Sequence, residues 1–171
     1  MKNTKILVVL ALLIGIGAVL HTVVPSTIFA KMDMMLSMMF LGIILFPKVK
    51  YVFLLGISAG LISALTTGFP MGQIPNIIDK FATAFIFFGL YLIVKKFSTS
   101  VISVAVLTAI GTVISGTIFL GTALLLAELP GPFYIIFTGV VLPAAAFNTI
   151  FLTIAYPIVT GIVKKSNLQL Q

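Results

Sequence analysis

The chain has 171 residues, of which 61% are hydrophobic and only 8% are charged, and its net charge is +7. Soluble domains carry roughly 25% charged residues, so this composition excludes a soluble globular protein. Most basic residues stand in pairs at the ends of apolar runs, which argues against a nucleic-acid surface. The chain has no cysteine, which excludes a disulfide, a thiolate nucleophile or a cysteine-based metal site.

The apolar runs predict a single all-α membrane domain, 1–171, with six transmembrane helices. The first run is too long for a signal-peptide core and lacks an Ala-x-Ala site, so we expect it to be retained as a span. The second run, Met34–Phe46, is too short for a core of about 30 Å unless it begins near Thr27. Pro143 predicts a break between a short outer segment and the last span. The predicted spans are about 6–24, 27–46, 51–68, 77–94, 101–127 and 143–163.

The charged residues differ between the two sets of predicted span ends. One set holds lysine pairs and no acid: Lys2 and Lys5, Lys48 and Lys50, Lys95 and Lys96, and Lys164 and Lys165. The other set holds Lys31, Asp33, Asp79, Lys80 and Glu128. Because short lysine-rich loops stay in the cytoplasm, the pattern predicts cytoplasmic termini and acids at the outer surface.

The first span carries small residues at helical spacing: Ala11, Gly15 and Ala18. Such a stripe allows close approach of another helix. The partner is either a helix of the same chain or another membrane subunit, and the residues alone leave both open.

The polar side chains that could carry chemistry all fall in the outer third or the outer loops of the predicted bundle. They are His21, Lys31, Asp33, Gln73, Asn76, Asp79, Lys80, Glu128 and Asn148. Proton or ion relays need ionisable groups near mid-depth, and the inner half has none before the terminal lysines. The pattern predicts an outward-facing pocket without an evident path through the membrane. No P-loop, nucleophile elbow, zinc motif or metal-ligand spacing occurs, so we expect neither an enzyme nor a bound metal or other cofactor.

Several of these residues also have a purely structural interpretation. Asn76 and Asp79 have the spacing of a capping box, and the same spacing places them on one helix face with Lys80 and Thr83. Asp33 could pair with Lys31 at the interface.

The remaining candidates have structural interpretations too. His21 could be a hydrogen-bonded interfacial histidine, and Glu128 a solvated loop charge. Asn148 could join two helices. The methionines between 32 and 39 favour a packing or lipid-facing surface over a soft-metal site.

From about Lys2 to Lys165, the chain resembles the tryptophan-specific substrate-binding subunits (S components) of energy-coupling factor (ECF) transporters. The stretches that carry the resemblance are Asp33-Met34-Met35-Leu36, Ile44-Leu45-Phe46-Pro47, Ile62-Ser63-Ala64-Leu65-Thr66-Thr67, Phe69-Pro70, Gly72-Gln73-Ile74-Pro75-Asn76, Ile78-Asp79-Lys80, Val141-Leu142-Pro143-Ala144-Ala145, Asn148-Thr149-Ile150 and Tyr156-Pro157-Ile158-Val159-Thr160.

The resemblance implies a six-helix bundle with cytoplasmic termini that captures L-tryptophan outside and carries it inward by toppling in the membrane. It also implies partners, namely a transmembrane coupling subunit and two cytoplasmic ABC-type ATPases. The stripe on the first span would dock on the coupling subunit. The family's stripe is usually Ala-x-x-x-Ala, whereas here it is Ala11-Leu12-Leu13-Ile14-Gly15.

A tryptophan substrate suggests roles for the polar residues. The ammonium requires a carboxylate, Asp79 first and Asp33 second, and the substrate carboxylate requires Lys80, Asn76, Gln73 or a helix N-terminus. Asn148 is the first choice as acceptor for the indole N–H, and the ring walls would be Phe69, Met71, Tyr134 and Phe147. Other possibilities are an S component for another substrate, a self-sufficient ion-coupled carrier of a small aromatic or vitamin-like substrate, and a structural membrane protein.

Overall fold

The computed structural model describes residues 2–23, 33–126 and 129–166, and all regular structure within them is helical. The helices are α1 (Lys2–Val23), α2 (Met34–Leu45), α3 (Val49–Leu65), α4 (Gln73–Lys95), α5 (Val101–Leu126), α6 (Phe133–Ile136) and α7 (Leu142–Lys165), with a π-helical turn (Phe137–Val141) between the last two. The predicted all-α class is confirmed for these residues.

Four helical segments are long and apolar enough to cross a bilayer: Asn3–Val23, Gln73–Lys95, Val101–Leu126 and the continuous segment Phe133–Lys165. Helices α2 and α3 are apolar but shorter. The count of six spans and the cytoplasmic side of the termini stay predictions. Several predicted features lie outside the described residues: the end of the first span, the start of the second span near Thr27, Lys31 and Glu128.

Helix α2 forms the centre of the bundle, because all twelve of its residues are buried. Its Phe40 ring stacks on Phe87 of α4 with centroids 3.8 Å apart. Met34, Met35, Met38 and Met39 are buried too, so of the two alternatives for this cluster the structure selects packing rather than a lipid-facing surface. An apolar run of this length is typical of a buried core helix.

Glycines allow the neighbouring helices to approach closely. A Cβ at Gly60 of α3 would lie 3.2 Å from Ile77 Cα of α4, and one at Gly56 would lie 3.1 Å from Ala84 Cβ. The order of these contacts along the two helices makes α3 and α4 an antiparallel hairpin. Gly56 and Gly60 are therefore used for helix packing inside the chain.

The prediction that the helix is interrupted at Pro143 is wrong. The helical path runs without interruption from Phe133 to Lys165. The chain instead widens to a π turn directly before the proline, where the Leu142 N–H bonds to the Phe137 carbonyl. Proline lacks an N–H and its ring crowds the carbonyl four residues earlier, here that of Gly139. A π turn relieves that crowding and keeps the helix continuous.

Two side-chain contacts define the end of the bundle that carries the lysine pairs. Tyr51 Oη at the start of α3 lies 3.3 Å from Asn3 Oδ1 of α1. Tyr156 Oη of α7 lies 3.5 Å from the Thr99 carbonyl, in the connection between α4 and α5. The opposite end of the bundle gathers Asp33, Asp79 and Lys80.

Candidate functional site

A partly open cavity of about 340 Å³ lies at the end of the bundle opposite the lysine pairs. That volume falls at the lower end of the range for small-molecule sites, about 300–1,000 Å³. Six parts of the chain contribute residues to its lining: the end of α1, the start of α2, the α3–α4 connection, the start of α4, the second half of α5 and the π turn. The lining residues are His21, Asp33, Leu36, Thr67, Gly68, Phe69, Pro70, Asn76, Asp79, Lys80, Thr112, Ser115, Gly116, Phe119, Leu120, Ile136, Val140, Val141 and Ala144.

One buried cation is shared by two carboxylates at the polar end of this cavity. Lys80 Nζ lies 2.7 Å from Asp33 Oδ2 and 2.5 Å from Asp79 Oδ2. Buried charges require such pairing, because desolvation is expensive. The cluster of Asp33, Asp79 and Lys80 therefore carries one net negative charge while His21 is neutral.

Asp33 both caps a helix and lines the cavity. Its Oδ1 accepts from the Leu36 N–H at 2.9 Å and caps the N-terminus of α2. His21 Nδ1 of α1 lies 3.7 Å from the same oxygen. The Asp33 side chain is 23% exposed, so it is the accessible carboxylate of the site.

Asp79 is fully buried and is held by three side chains. Its Oδ1 accepts from the Thr83 hydroxyl at 2.8 Å, and its Oδ2 accepts from Ser115 of α5 at 2.9 Å as well as from Lys80. The sequence prediction that Asn76, Asp79, Lys80 and Thr83 share one helix face is confirmed, since all four are buried on α4.

The capping-box interpretation of Asn76 and Asp79 is wrong. Helix α4 begins at Gln73, so Asn76 lies inside its first turns and donates from Nδ2 to the Gly72 carbonyl at 2.8 Å. Pro75 also lies within the first turn, where its missing N–H costs no helical hydrogen bond.

Aromatic and aliphatic side chains form the remaining walls of the cavity. Phe69 and Phe119 meet edge to face with centroids 5.1 Å apart. Ile136, Val140 and Val141 project from α6 and the π turn. A charged end beside apolar and aromatic walls fits a zwitterion with a hydrophobic side chain.

Five predicted contact residues lie outside the cavity lining, and four of them are exposed. Gln73 is exposed at the start of α4, and Tyr134 and Phe147 are 69% and 44% exposed. On α7 the buried face carries Ala144, Asn148 and their neighbours, and helical geometry turns Phe147 away from it. Met71, named as a possible ring wall, is also exposed and has a positive φ of 52° in the α3–α4 connection.

Asn148 is fully buried but does not line the cavity. It lies one helical turn beyond Ala144, which does, and its Nδ2 donates to Thr112 Oγ1 of α5 at 3.4 Å. This contact between α5 and α7 fits the structural role weighed for Asn148, that of joining two helices.

Sequence reasoning missed the contribution of α5. Thr112, Ser115 and Phe119 all line the cavity at spacings of three and four residues. The available signal was the run of hydroxyl residues Thr108, Thr112 and Ser115 on one helix face.

The proposed docking stripe on α1 lies on two different surfaces. Ala11 and Gly15 are exposed, and a Cβ at Gly15 would meet no atom within 4 Å. Ala18 is partly buried against the core, and the neighbouring Gly17 packs on Met38. Ala11 and Gly15 are therefore not used for packing inside the described part of the chain.

No three His, Asp or Glu side chains among the described residues are arranged to hold a metal ion. The cavity is therefore best described by its ion pairs, hydroxyls and apolar walls.

Comparison with known proteins gives one family and several relatives. The family model described as "Tryptophan transporter TrpP" matches residues 3–164. A Bacillus subtilis protein named "Probable tryptophan transport protein" is 54% identical over 96% of each chain. Proteins of the same name from Clostridium perfringens and Clostridium acetobutylicum are 36% and 39% identical, over 98% and 90% of this chain and 97% and 91% of their own lengths. No solved structure matches significantly.

Proposed function

Because the chain belongs to the TrpP family of tryptophan transporters, we propose that it is the L-tryptophan-binding S component of an ATP-driven ECF importer. It is a multi-pass protein of the bacterial membrane, with several helices long and apolar enough to span it. The cavity would face outward, as the lysine distribution predicts.

The observation that carries this proposal is the combination of charge and shape in the cavity. The cluster of Asp33, Asp79 and Lys80 holds one net negative charge, which an ammonium group neutralises. The Phe69 and Phe119 rings beside it offer the walls that an aromatic side chain requires.

We assign the substrate ammonium to Asp33 rather than to Asp79, which reverses the order expected from the sequence. Asp79 is fully buried, and its oxygens already accept from Thr83, Ser115 and Lys80. Asp33 is the partly exposed carboxylate. The Asp33 oxygens also have partners, the Leu36 N–H and Lys80, so the partial exposure of Asp33 is what makes it the better choice for a charge-assisted hydrogen bond from the ligand.

The substrate carboxylate is assigned to Asn76 and Thr67, which both line the cavity. Asn76 Nδ2 uses one of its two protons on the Gly72 carbonyl, which leaves one for the substrate. Lys80 supports this end through its positive charge, while its protons serve Asp33, Asp79 and Ser115.

Transport would require a coupling subunit and two ATPases, as the resemblance to S components implies. The exposed Ala11 and Gly15 on α1 are the proposed docking position for the coupling subunit. ATP hydrolysis by the partners would then reset the subunit after release of tryptophan inside.

Titration of the purified chain in lipid nanodiscs tests the binding half of this proposal. We expect L-tryptophan to bind more tightly than L-phenylalanine or L-tyrosine. Equal affinity for all three, or no binding, would reject the substrate assignment.

A self-sufficient proton-coupled carrier is the second candidate, and the contact between His21 and Asp33 beside Lys80 favours it. Ionisable groups buried in a membrane protein are typical of proton relays. Vesicles that contain this chain alone, under an imposed pH gradient, separate the two functions. Accumulation of tryptophan in them would select the carrier, and uptake only with the coupling subunit, ATPases and ATP would select the S component.

A further inference from the structure

The hydroxyl of Thr112 has a fixed hydrogen-bond polarity. Its single proton is donated to the Thr108 carbonyl at 2.9 Å, and its oxygen accepts from Asn148 Nδ2 at 3.4 Å. A threonine oxygen has two acceptor sites. With its proton used and one acceptor site filled, Thr112 can offer a ligand only an acceptor.

The orientation of the Asn148 amide is consistent with this polarity. If its oxygen and nitrogen were exchanged, Thr112 would have to donate to Asn148 and give up its shorter bond to Thr108. Asn148 therefore holds Thr112 as an acceptor.

Thr112 lies about one helical turn along α5 from the charged end of the cavity. Ser115, which bonds to Asp79, follows Thr112 by three residues on the same face of α5. At a rise of 1.5 Å per residue, the two side chains are about 4.5 Å apart along the helix axis. Asp79 and Asp33 share Lys80, and in tryptophan several bonds separate the ammonium from the ring nitrogen, so one ligand can contact both the charged cluster and Thr112.

We propose that Thr112 is the residue that selects tryptophan, by accepting the indole N–H, and that Asn148 is its positioning residue. This inference rests on the proposed function and changes one detail of it, since the sequence suggested Asn148 as the direct acceptor. Phenylalanine offers no donor at this point. A pocket built around a ligand donor rejects analogues that lack it.

The test compares L-tryptophan with its benzothiophene analogue, in which sulfur replaces the indole N–H. In the unmodified protein in nanodiscs, we expect tryptophan to bind about tenfold more tightly than the analogue. Thr112→Val keeps the side-chain shape and removes the acceptor, so tryptophan affinity falls about tenfold and the preference disappears. Thr112→Ser keeps the preference.

Thr108→Val is the matched control. Thr108 is a buried threonine one turn away on α5, it bonds to the Val104 carbonyl, and it does not line the cavity. We expect this variant to keep the full preference for tryptophan. Asn148→Leu should reduce the preference by a smaller factor, which a purely structural role would not do because both ligands would weaken equally.

The possible results are distinguishable. Equal affinity of the unmodified protein for tryptophan and the analogue overturns the role of Thr112 without any variant. An unchanged preference in folded Thr112→Val overturns it as well. Failure of the unmodified protein to bind tryptophan would instead reject the proposed function.

Discussion

Lys80 Nζ lies 2.7 Å from Asp33 Oδ2, and this contact joins helix α4 to the residue that caps α2. The same nitrogen also holds Asp79 of its own helix. One ion-paired cluster therefore fixes the central helix of the bundle and forms the charged end of the cavity. Binding and folding are coupled at this point, and variants must be measured for both.

Asp33→Asn should weaken tryptophan binding severely while the protein still folds, with a moderate loss of stability from the missing contact with Lys80. Loss of one partner from a buried charge pair typically costs about 2–5 kcal/mol. Asparagine is as good an N-cap as aspartate, so α2 keeps its cap at Leu36. Calorimetric titration beside a thermal melt checks this, and full affinity in the folded variant would remove Asp33 from the substrate contact.

Lys80→Met should be strongly destabilising because it leaves the fully buried Asp79 and the partly exposed Asp33 without their cation. Removing one partner of a buried pair costs about 3–5 kcal/mol. Adding Asp33→Asn to Lys80→Met removes one of the orphaned charges, so the double variant should be more stable than Lys80→Met alone. The measurement is the melting temperature in detergent.

Lys96→Met is the control for that series, since Lys96 is an exposed lysine at the end of α4. It should melt like the unmodified protein. If Lys80→Met did the same, the cluster would contribute nothing to the stability of the bundle.

Gly116→Ala should destabilise the protein and reduce tryptophan binding. A Cβ at Gly116 would overlap both Cγ atoms of Val141 in the π turn, and both residues line the cavity. Overpacking of this kind costs about 1–3 kcal/mol. Gly121→Ala, on the same helix with no atom within 4 Å of the new Cβ, should be neutral or slightly stabilising. Equal melting temperatures for the two variants would contradict the close contact.

Gly15→Leu should reduce ATP-driven uptake while tryptophan binding to the isolated chain is unchanged. The added side chain projects into open space from α1, where the coupling subunit is proposed to dock. Gly89→Leu places the same side chain on an open position of α4 and should not affect uptake. Equal uptake by both variants would argue against docking at Gly15, and loss of binding by Gly15→Leu would point to packing within the chain.

The charged face of α4 could be predicted from the sequence because helical periodicity is local. Asn76, Asp79, Lys80 and Thr83 follow offsets of three and four, and the structure buries all four together. The gathering of polar residues at one end of the bundle was also readable, because they follow or precede the apolar runs. The capping box failed because α4 begins at Gln73, and helix ends are the least regular part of a helix.

The sequence by itself determined the helical class, the family and the polar end of the bundle, since composition, periodicity and motif are properties of short stretches. Only the tertiary structure decided that Lys80 bridges to Asp33, that α2 is central, and that Thr112 rather than Asn148 lines the cavity. The physical reason is that lipid-facing and core-facing residues of a membrane helix are both apolar, so hydropathy does not orient the helix. The contacts between helices, including the π turn before Pro143 that sets Val141 against Gly116, provide that orientation.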